Sequence, residues 1–245
     1  MSGEPIAGAG DAVGALRADG HRLRFVTNNT TRPRARLAAE LREIGVELDE
    51  DELETTPLAA GRLLEGGRVL PLTMPAIHGD LARHVDLVDR DAEIVLVGGA
   101  DETEETERVF AWARLNAAFA ELQAGARLVC LHRNRWWQTG RGPLLDSGAV
   151  VAGLEYAAGV EAEVVGKPSR AYFESALAAL GAEAGKTTMV GDDVESDVCA
   201  AQRLGMRGVL VRTGKFREES LAAANPEPDA VINSLADLPD FLAPR

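Results

Sequence analysis

A short apolar run, Thr188-Met189-Val190, stops at Gly191 and is followed at once by Asp192 and Asp193 and, four residues later, by Asp197. No other stretch constrains the chain as much. Three carboxylates crowded at a strand's end repel one another, and such a cluster persists where a cation offsets the repulsion. Oxygen-only ligands favour a hard cation, and Mg2+ fits best. Asp and Gly also dominate ordinary turns, and Asp193 directly precedes a helical pattern, so a turn with an N-cap is the plainer reading of the same residues.

Two further strand ends favour the metal. Val164-Val165-Gly166-Lys167-Pro168-Ser169 is an apolar run that ends at a glycine and delivers a lysine, and Leu23-Arg24-Phe25-Val26 runs into Thr27-Asn28-Asn29-Thr30. In open α/β sheets, ligands bind outside the carboxyl ends of the strands. A hydroxyl, a lysine and paired aspartates on such ends suit a phosphate held by hydrogen bonds, a cation and a metal.

The net charge of −13 excludes a nucleic-acid surface, which needs clustered Lys or Arg to release counterions. A small phosphorylated substrate is compatible with it, because a local lysine and a metal can overcome the global field. No apolar run approaches the roughly 18 residues of a membrane span, and the amino terminus lacks the basic start and apolar block of a signal peptide. Cys130 and Cys199 belong to no Cys-x-x-Cys pattern, so both are expected to be reduced and buried in a cytoplasmic protein. The four histidines show no i,i+4 metal pair and are expected at the surface or in packing.

Along the chain, periodicity predicts helices over 8–19 and 33–44 around a strand at 23–26, then a helix from Thr56-Pro57 to Gly66-Gly67. The glycines at 8, 10 and 14 do not make a dinucleotide fingerprint, because no strand precedes them. From 68 to 159 the pattern restarts as a smaller α/β unit, with strands at 69–72, 94–97 and 127–131, a short helix at 77–84, and helices over 104–123 and 147–157. In the helix at 104–123, Trp112, Leu115, Phe119 and Leu122 share one face and read as core. The segment 132–143 holds Trp136, Trp137 and three arginines among glycines. It is suited to a lid over an anionic substrate or, equally, to packing between domains or subunits. Strands at 163–165, 188–190, 208–211 and 230–232 alternate with helices at 169–180 and 194–204, and Ser234 with Asp237 forms a capping box for a last helix at 235–242. The fold class is α/β, a Rossmann-like parallel sheet with helices on both faces. Its core comprises 1–67 and 160–245, and the inserted unit 68–159.

In Val164-Val165-Gly166-Lys167-Pro168-Ser169, Gly191-Asp192-Asp193, Asp197-Val198, Ala201-Gln202-Arg203 and Arg212-Thr213-Gly214-Lys215-Phe216, the chain resembles phosphatases of the haloacid dehalogenase (HAD) superfamily, in the capped NagD-like branch. The resemblance spans nearly the whole chain. It implies a Mg2+-dependent phosphatase that works through an aspartyl-phosphate on pyrophosphate, a phosphorylated amino acid or a small sugar phosphate, with the inserted unit as a cap and a possible homodimer through it. Thr27, Asn28 and Asn29 would bind the phosphoryl group and Lys167 would neutralise it. Asp192 and Asp193 would serve the metal, and Asp197 would orient Lys167 and the metal's surroundings.

The family's opening strand, ending in Asp-x-Asp, is missing from this reading. Before Thr27 the only acidic residues are Glu4, Asp11 and Asp19, none on a strand end. A helix followed by a strand needs a preceding strand in a right-handed βαβ unit. Loss of its three or four buried side chains would remove on the order of 5–10 kcal/mol, against a domain's net ~5–15 kcal/mol. The expectation is therefore a truncated or mis-started chain whose gene product carries about 10–20 further residues, one strand and its loop. The alternative is a catalytically inactive pseudoenzyme or interaction module that binds phosphate or metal.

Overall fold

The computed structural model describes residues 5–139 and 142–243. Its strands, in chain order, are β1 (Phe25–Thr27), β2 (Leu53–Thr55), β3 (Arg68–Leu72), β4 (Asp86–Leu87), β5 (Ile94–Val97), β6 (Arg127–Cys130), β7 (Trp136–Thr139), β8 (Gly142–Leu145), β9 (Glu163–Val164), β10 (Thr188–Gly191), β11 (Arg207–Val211) and β12 (Ala230–Ile232). The chain divides into two compact units. One holds the residues up to Phe25, 35–53 and those from Lys167 onward; the other holds 26–34 and 54–166.

The second unit is built on a parallel five-stranded sheet in the order β4-β3-β5-β6-β9. All four residues of β5 are buried, as expected of a central parallel strand covered on both faces. Alternate residues Leu70 and Leu72, Val95 and Val97, and Leu128 and Cys130 share one core cluster with Ala118 and Leu122 of helix Trp112–Gln123 and Val151 and Leu154 of helix Gly148–Ala158. Sequence patterning draws this unit at 68–159, but the structure extends it at both ends. Helix Thr56–Leu63 packs on His78–Leu81, and β9 pairs with β6 in the register Cys130↔Val164. Amides of Val165 and Gly166 continue that pairing onto the carbonyls of Cys130 and Leu131, at 2.9 and 3.0 Å. Lys167 therefore leaves the end of a strand held by its neighbour.

The single helix expected over 104–123 is two helices, Glu104–Val109 and Trp112–Gln123, separated at Ala111, whose backbone is extended (φ −56°, ψ 141°). The break lets Phe110, Leu115 and Phe119 pack on the core while Trp112 stands 77% exposed, so Trp112 is not the core residue that its helical phase suggests. Nor is the segment after residue 132 an open loop: β7 and β8 form an antiparallel hairpin that sets Trp136 opposite Leu145 and Trp137 opposite Leu144.

In the first unit, β10, β11 and β12 form a parallel sheet with Met189 opposite Gly208, Gly191 opposite Leu210 and Leu210 opposite Val231. Helix Ala9–Ala18 turns Leu16 toward Val209 and Leu238, and Val13 toward Ala38, Val46 and Leu48. Ser234 and Asp237 form the expected reciprocal cap, although the last helix begins as a 3-10 turn over Leu235–Asp237. Strands β1 and β2 pair as a two-stranded sheet.

Candidate active site

The end of β10 gathers four of the residues singled out from the sequence. Asp193 caps the following helix, its Oδ1 accepting the Ser196 amide at 3.0 Å. That helix, Val194–Cys199, is a π-helix, because the Asp193 carbonyl accepts the amides of both Asp197 (3.0 Å) and Val198 (3.3 Å). Asp197 points back toward the strand end. Its carboxylate lies so close that a Cβ on Gly191 would sit 2.5 Å from Asp197 Oδ2, which explains the glycine where the apolar run stops.

Asp197 Oδ1 accepts from Lys167 Nζ at 2.6 Å, with only 8% and 11% of the two side chains exposed. Asp197 Oδ2 accepts the Asp193 amide at 3.3 Å. Asp197 thus holds the lysine and the acidic turn to each other. A lysine held in place against a carboxylate is a positioned donor, suited to an anionic group.

The loop after β11 completes the cluster. Lys215 donates its amide to Asp192 Oδ2 at 2.9 Å and its ammonium to Asp193 Oδ2 at 3.2 Å. Burial pushes the Asp193 carboxyl up, but the Ser196 amide and the Lys215 charge outweigh it and hold Asp193 below the ordinary carboxylate value of 3.8. Lys215 had no role in the sequence reading. Its signal was its place four residues beyond a strand end, adjacent to the glycine at 214.

The aspartates are therefore not equivalent candidates for metal. Both oxygens of Asp193 and both of Asp197 accept from protein donors. Asp192 Oδ2 accepts from Lys215, and among the described residues no donor reaches its Oδ1. Three or more His, Cys, Asp or Glu side chains do not converge on any one point among the described residues. One available carboxylate oxygen fits Mg2+, which is usually held by one or two carboxylates, water and substrate phosphate.

Thr27, Asn28 and Asn29 lie in the other compact unit. Thr27 Oγ1 accepts the Asn29 amide at 3.1 Å, and Asn29 Oδ1 accepts the amides of Thr31 (3.1 Å) and Arg32 (2.9 Å). The loop is thus wound on its own side chains. Asn28 Oδ1 lies 3.3 Å from the Thr56 hydroxyl and borders Gly166, where a Cβ would approach it to 3.0 Å. At Thr30 the loop is pinned, its Oγ1 accepting the Gly99 amide at 3.1 Å and lying 3.1 Å from His132 Nε2. Since His132 Nδ1 accepts the Asn134 amide (3.3 Å), Nε2 carries the proton of the neutral ring. Burial lowers the His132 pKa and the nearby Asp146 carboxylate opposes that shift.

The residues up to 108 match the family described as haloacid dehalogenase-like hydrolase, and 164–238 match a second, HAD-hydrolase-like family. The chain is 35% identical over 243 residues to human phospholysine phosphohistidine inorganic pyrophosphate phosphatase, covering 98% of this chain and 87% of that protein. Among solved structures, the p-nitrophenyl phosphatase from Archaeoglobus fulgidus is similar at a TM-score of 0.88 and 30% identity, over 99% of this chain and 94% of that one. The glycerol phosphate phosphatase from Mycobacterium tuberculosis, solved in complex with calcium, is similar at 0.81 and 28%, over 100% and 76%.

Proposed function

This chain belongs to the haloacid dehalogenase-like hydrolases, in their NagD-like branch, and as a phosphatase of that family we propose that it hydrolyses a small phosphorylated metabolite or pyrophosphate with Mg2+. The observation that carries the reading is the Lys167-Asp197 pair at 2.6 Å, set beside an acidic turn in which no donor reaches Asp192 Oδ1 among the described residues.

In this reading Lys167 offsets the charge of the phosphoryl group and of its attacking carboxylate, and Asp197 keeps the ammonium oriented. Thr27, Asn28 and Asn29 donate hydrogen bonds to phosphoryl oxygens. Asp192 holds Mg2+, while Asp193, through its hold on Lys215 and the helix start, keeps the turn rigid. Bound Mg2+ would neutralise charge on the phosphoryl oxygens. In this reading the nucleophile is an aspartate of the family's Asp-x-Asp strand; its carboxylate displaces the leaving group, and water then cleaves the acyl phosphate. The two free, buried cysteines fit action in the cytoplasm.

The test is turnover of p-nitrophenyl phosphate by the chain as given and by a version extended with an Asp-x-Asp strand. Activity with Mg2+ in the extended form, lost in its Asp192→Asn and Lys167→Met variants, is expected. An extended form that stays inactive with Mg2+ present would sink the enzymatic reading and favour a phosphate-binding module.

A further inference from the structure

We propose that the turn at Gly214 and Lys215 positions Asp192 for its metal, and that the Lys215 ammonium is a placeholder cation for the acidic cluster when no metal is bound. The proposal rests on the reading of Asp192 as the Mg2+ ligand.

The turn follows β11, the strand beside β10, and so reaches the residue that leaves β10. Gly214 has φ +57°, and a Cβ there would lie 1.9 Å from Asp192 Oδ2. No relaxation of a few tenths of an ångström accommodates that contact. The carboxylate is seated against bare backbone, and the next amide, that of Lys215, donates to the same oxygen at 2.9 Å. A carboxylate fixed through one oxygen can no longer spin about its Cβ–Cγ bond, so Oδ1 keeps one direction. Hydrogen-bond partners that orient a ligand in this way typically carry about 10–100-fold in metal affinity.

The side chain of Lys215 acts with the opposite sign. Its ammonium is 3.2 Å from Asp193 Oδ2, yet the side chain is 60% exposed and free to swing into water. It offsets carboxylate repulsion in the metal-free protein and, by the same charge, opposes a second cation at Asp192. Backbone and side chain of one residue therefore push Mg2+ affinity in opposite directions, which a merely structural turn would not do.

Isothermal calorimetry of Mg2+ binding to the metal-stripped protein separates these effects. Gly214→Ala should weaken Mg2+ binding about tenfold or more, and Lys215→Met, which keeps the amide, should tighten it about threefold, the effect of one screened surface charge. Lys215→Met should also lower the melting temperature of the metal-free protein and show a larger rise on adding Mg2+. Unchanged affinity in Gly214→Ala overturns the positioning role; unchanged or weaker binding in Lys215→Met overturns the placeholder role. Gly214→Asn, whose side chain tolerates the left-handed backbone but retains the clash, decides the first point if the alanine variant does not fold. Asp192→Asn is the control: if it binds Mg2+ like the unaltered protein, the ligand assignment itself fails, whereas loss there with normal binding in Gly214→Ala refutes the positioning role alone.

Discussion

Removing Asp197 should destabilise the protein far more than an ordinary surface charge would. The Asp197→Ala substitution leaves Lys167 with 11% of its side chain exposed and without the oxygen that now lies 2.6 Å away. Both side chains are well below one-third exposed, so solvent screening discounts the loss little. Breaking a buried pair by removing one partner costs ~3–5 kcal/mol, because the other loses its counter-charge where water does not replace it. The loss of the acceptor for the Asp193 amide acts in the same direction. For a chain of this size ~1 kcal/mol moves the melting temperature by about 2–4 °C, so a fall of about 6–20 °C is expected. The measurement is calorimetric melting together with urea titration of wild type, Asp197→Ala, Lys167→Met and the combined variant Asp197→Leu/Lys167→Met. The combined variant should recover most of the loss, since an apolar pair leaves no stranded charge. A drop below ~1 kcal/mol in Asp197→Ala, or a combined variant as unstable as the sum of the singles, would refute the view that the buried Lys167-Asp197 pair contributes to stability as a unit.

Stability should also fall between neutral pH and pH 5, and His132 should carry part of the slope. Its folded pKa is lowered by burial from the ordinary 6.5, so below pH 6.5 the unfolded chain binds a proton that the folded protein does not. Stability is lost as pH falls from 6.5 toward the depressed folded value; urea titrations at several pH values should show a flatter slope for His132→Asn. His78, lowered by burial as well, keeps its share. A third expectation concerns thiols: burial pushes the Cys130 pKa up to about 12, and Cys199 is also raised, so neither should react with a disulfide reagent in the native protein. Both should titrate in urea, and fast labelling without urea would contradict the buried placement. Finally, Gly191→Ala should act on the site and not merely on the strand, because the added carbon meets the Asp197 side chain at 2.5 Å. Strain of ~1–3 kcal/mol and a weakened response to Mg2+ are expected, checked by melting with and without the metal.

Strands and their ends were legible because burial writes them plainly. Ile94–Val97 and Ala230–Ile232 occur at the residues where apolar runs place them, Gly191 closes its strand, and Asp192 and Lys167 follow strand ends. What was not legible depends on contacts distant in sequence. Ala111 carries no sign of a helix break; the chain bends there so that Phe110 can join the core on the near side of Leu115 and Phe119. The cross-strand pairing of Trp136–Thr139 with Gly142–Leu145 has no strict alternation to announce it. The hydrogen-bond partners of Asp192, Asp193 and Asp197 were likewise hidden. Spacing says that they are near one another, but only the donors from Lys167, Ser196 and Lys215 show which oxygens are already taken.

An α-helix is an angular ruler, each residue advancing the next by about 100°. The π-turn over Val194–Cys199 lets that ruler slip by one mark within the segment that carries Asp197 to Lys167. Deleting one residue there would shorten the helix trivially but rotate everything beyond it, sending the carboxylate off by about a quarter of a turn or more. Length changes that surface loops absorb easily are therefore closed to this segment. Its residue count sets the phase of the helix against the end of β10, and homologous segments that keep the lysine-aspartate pair should keep that phase even where their side chains differ.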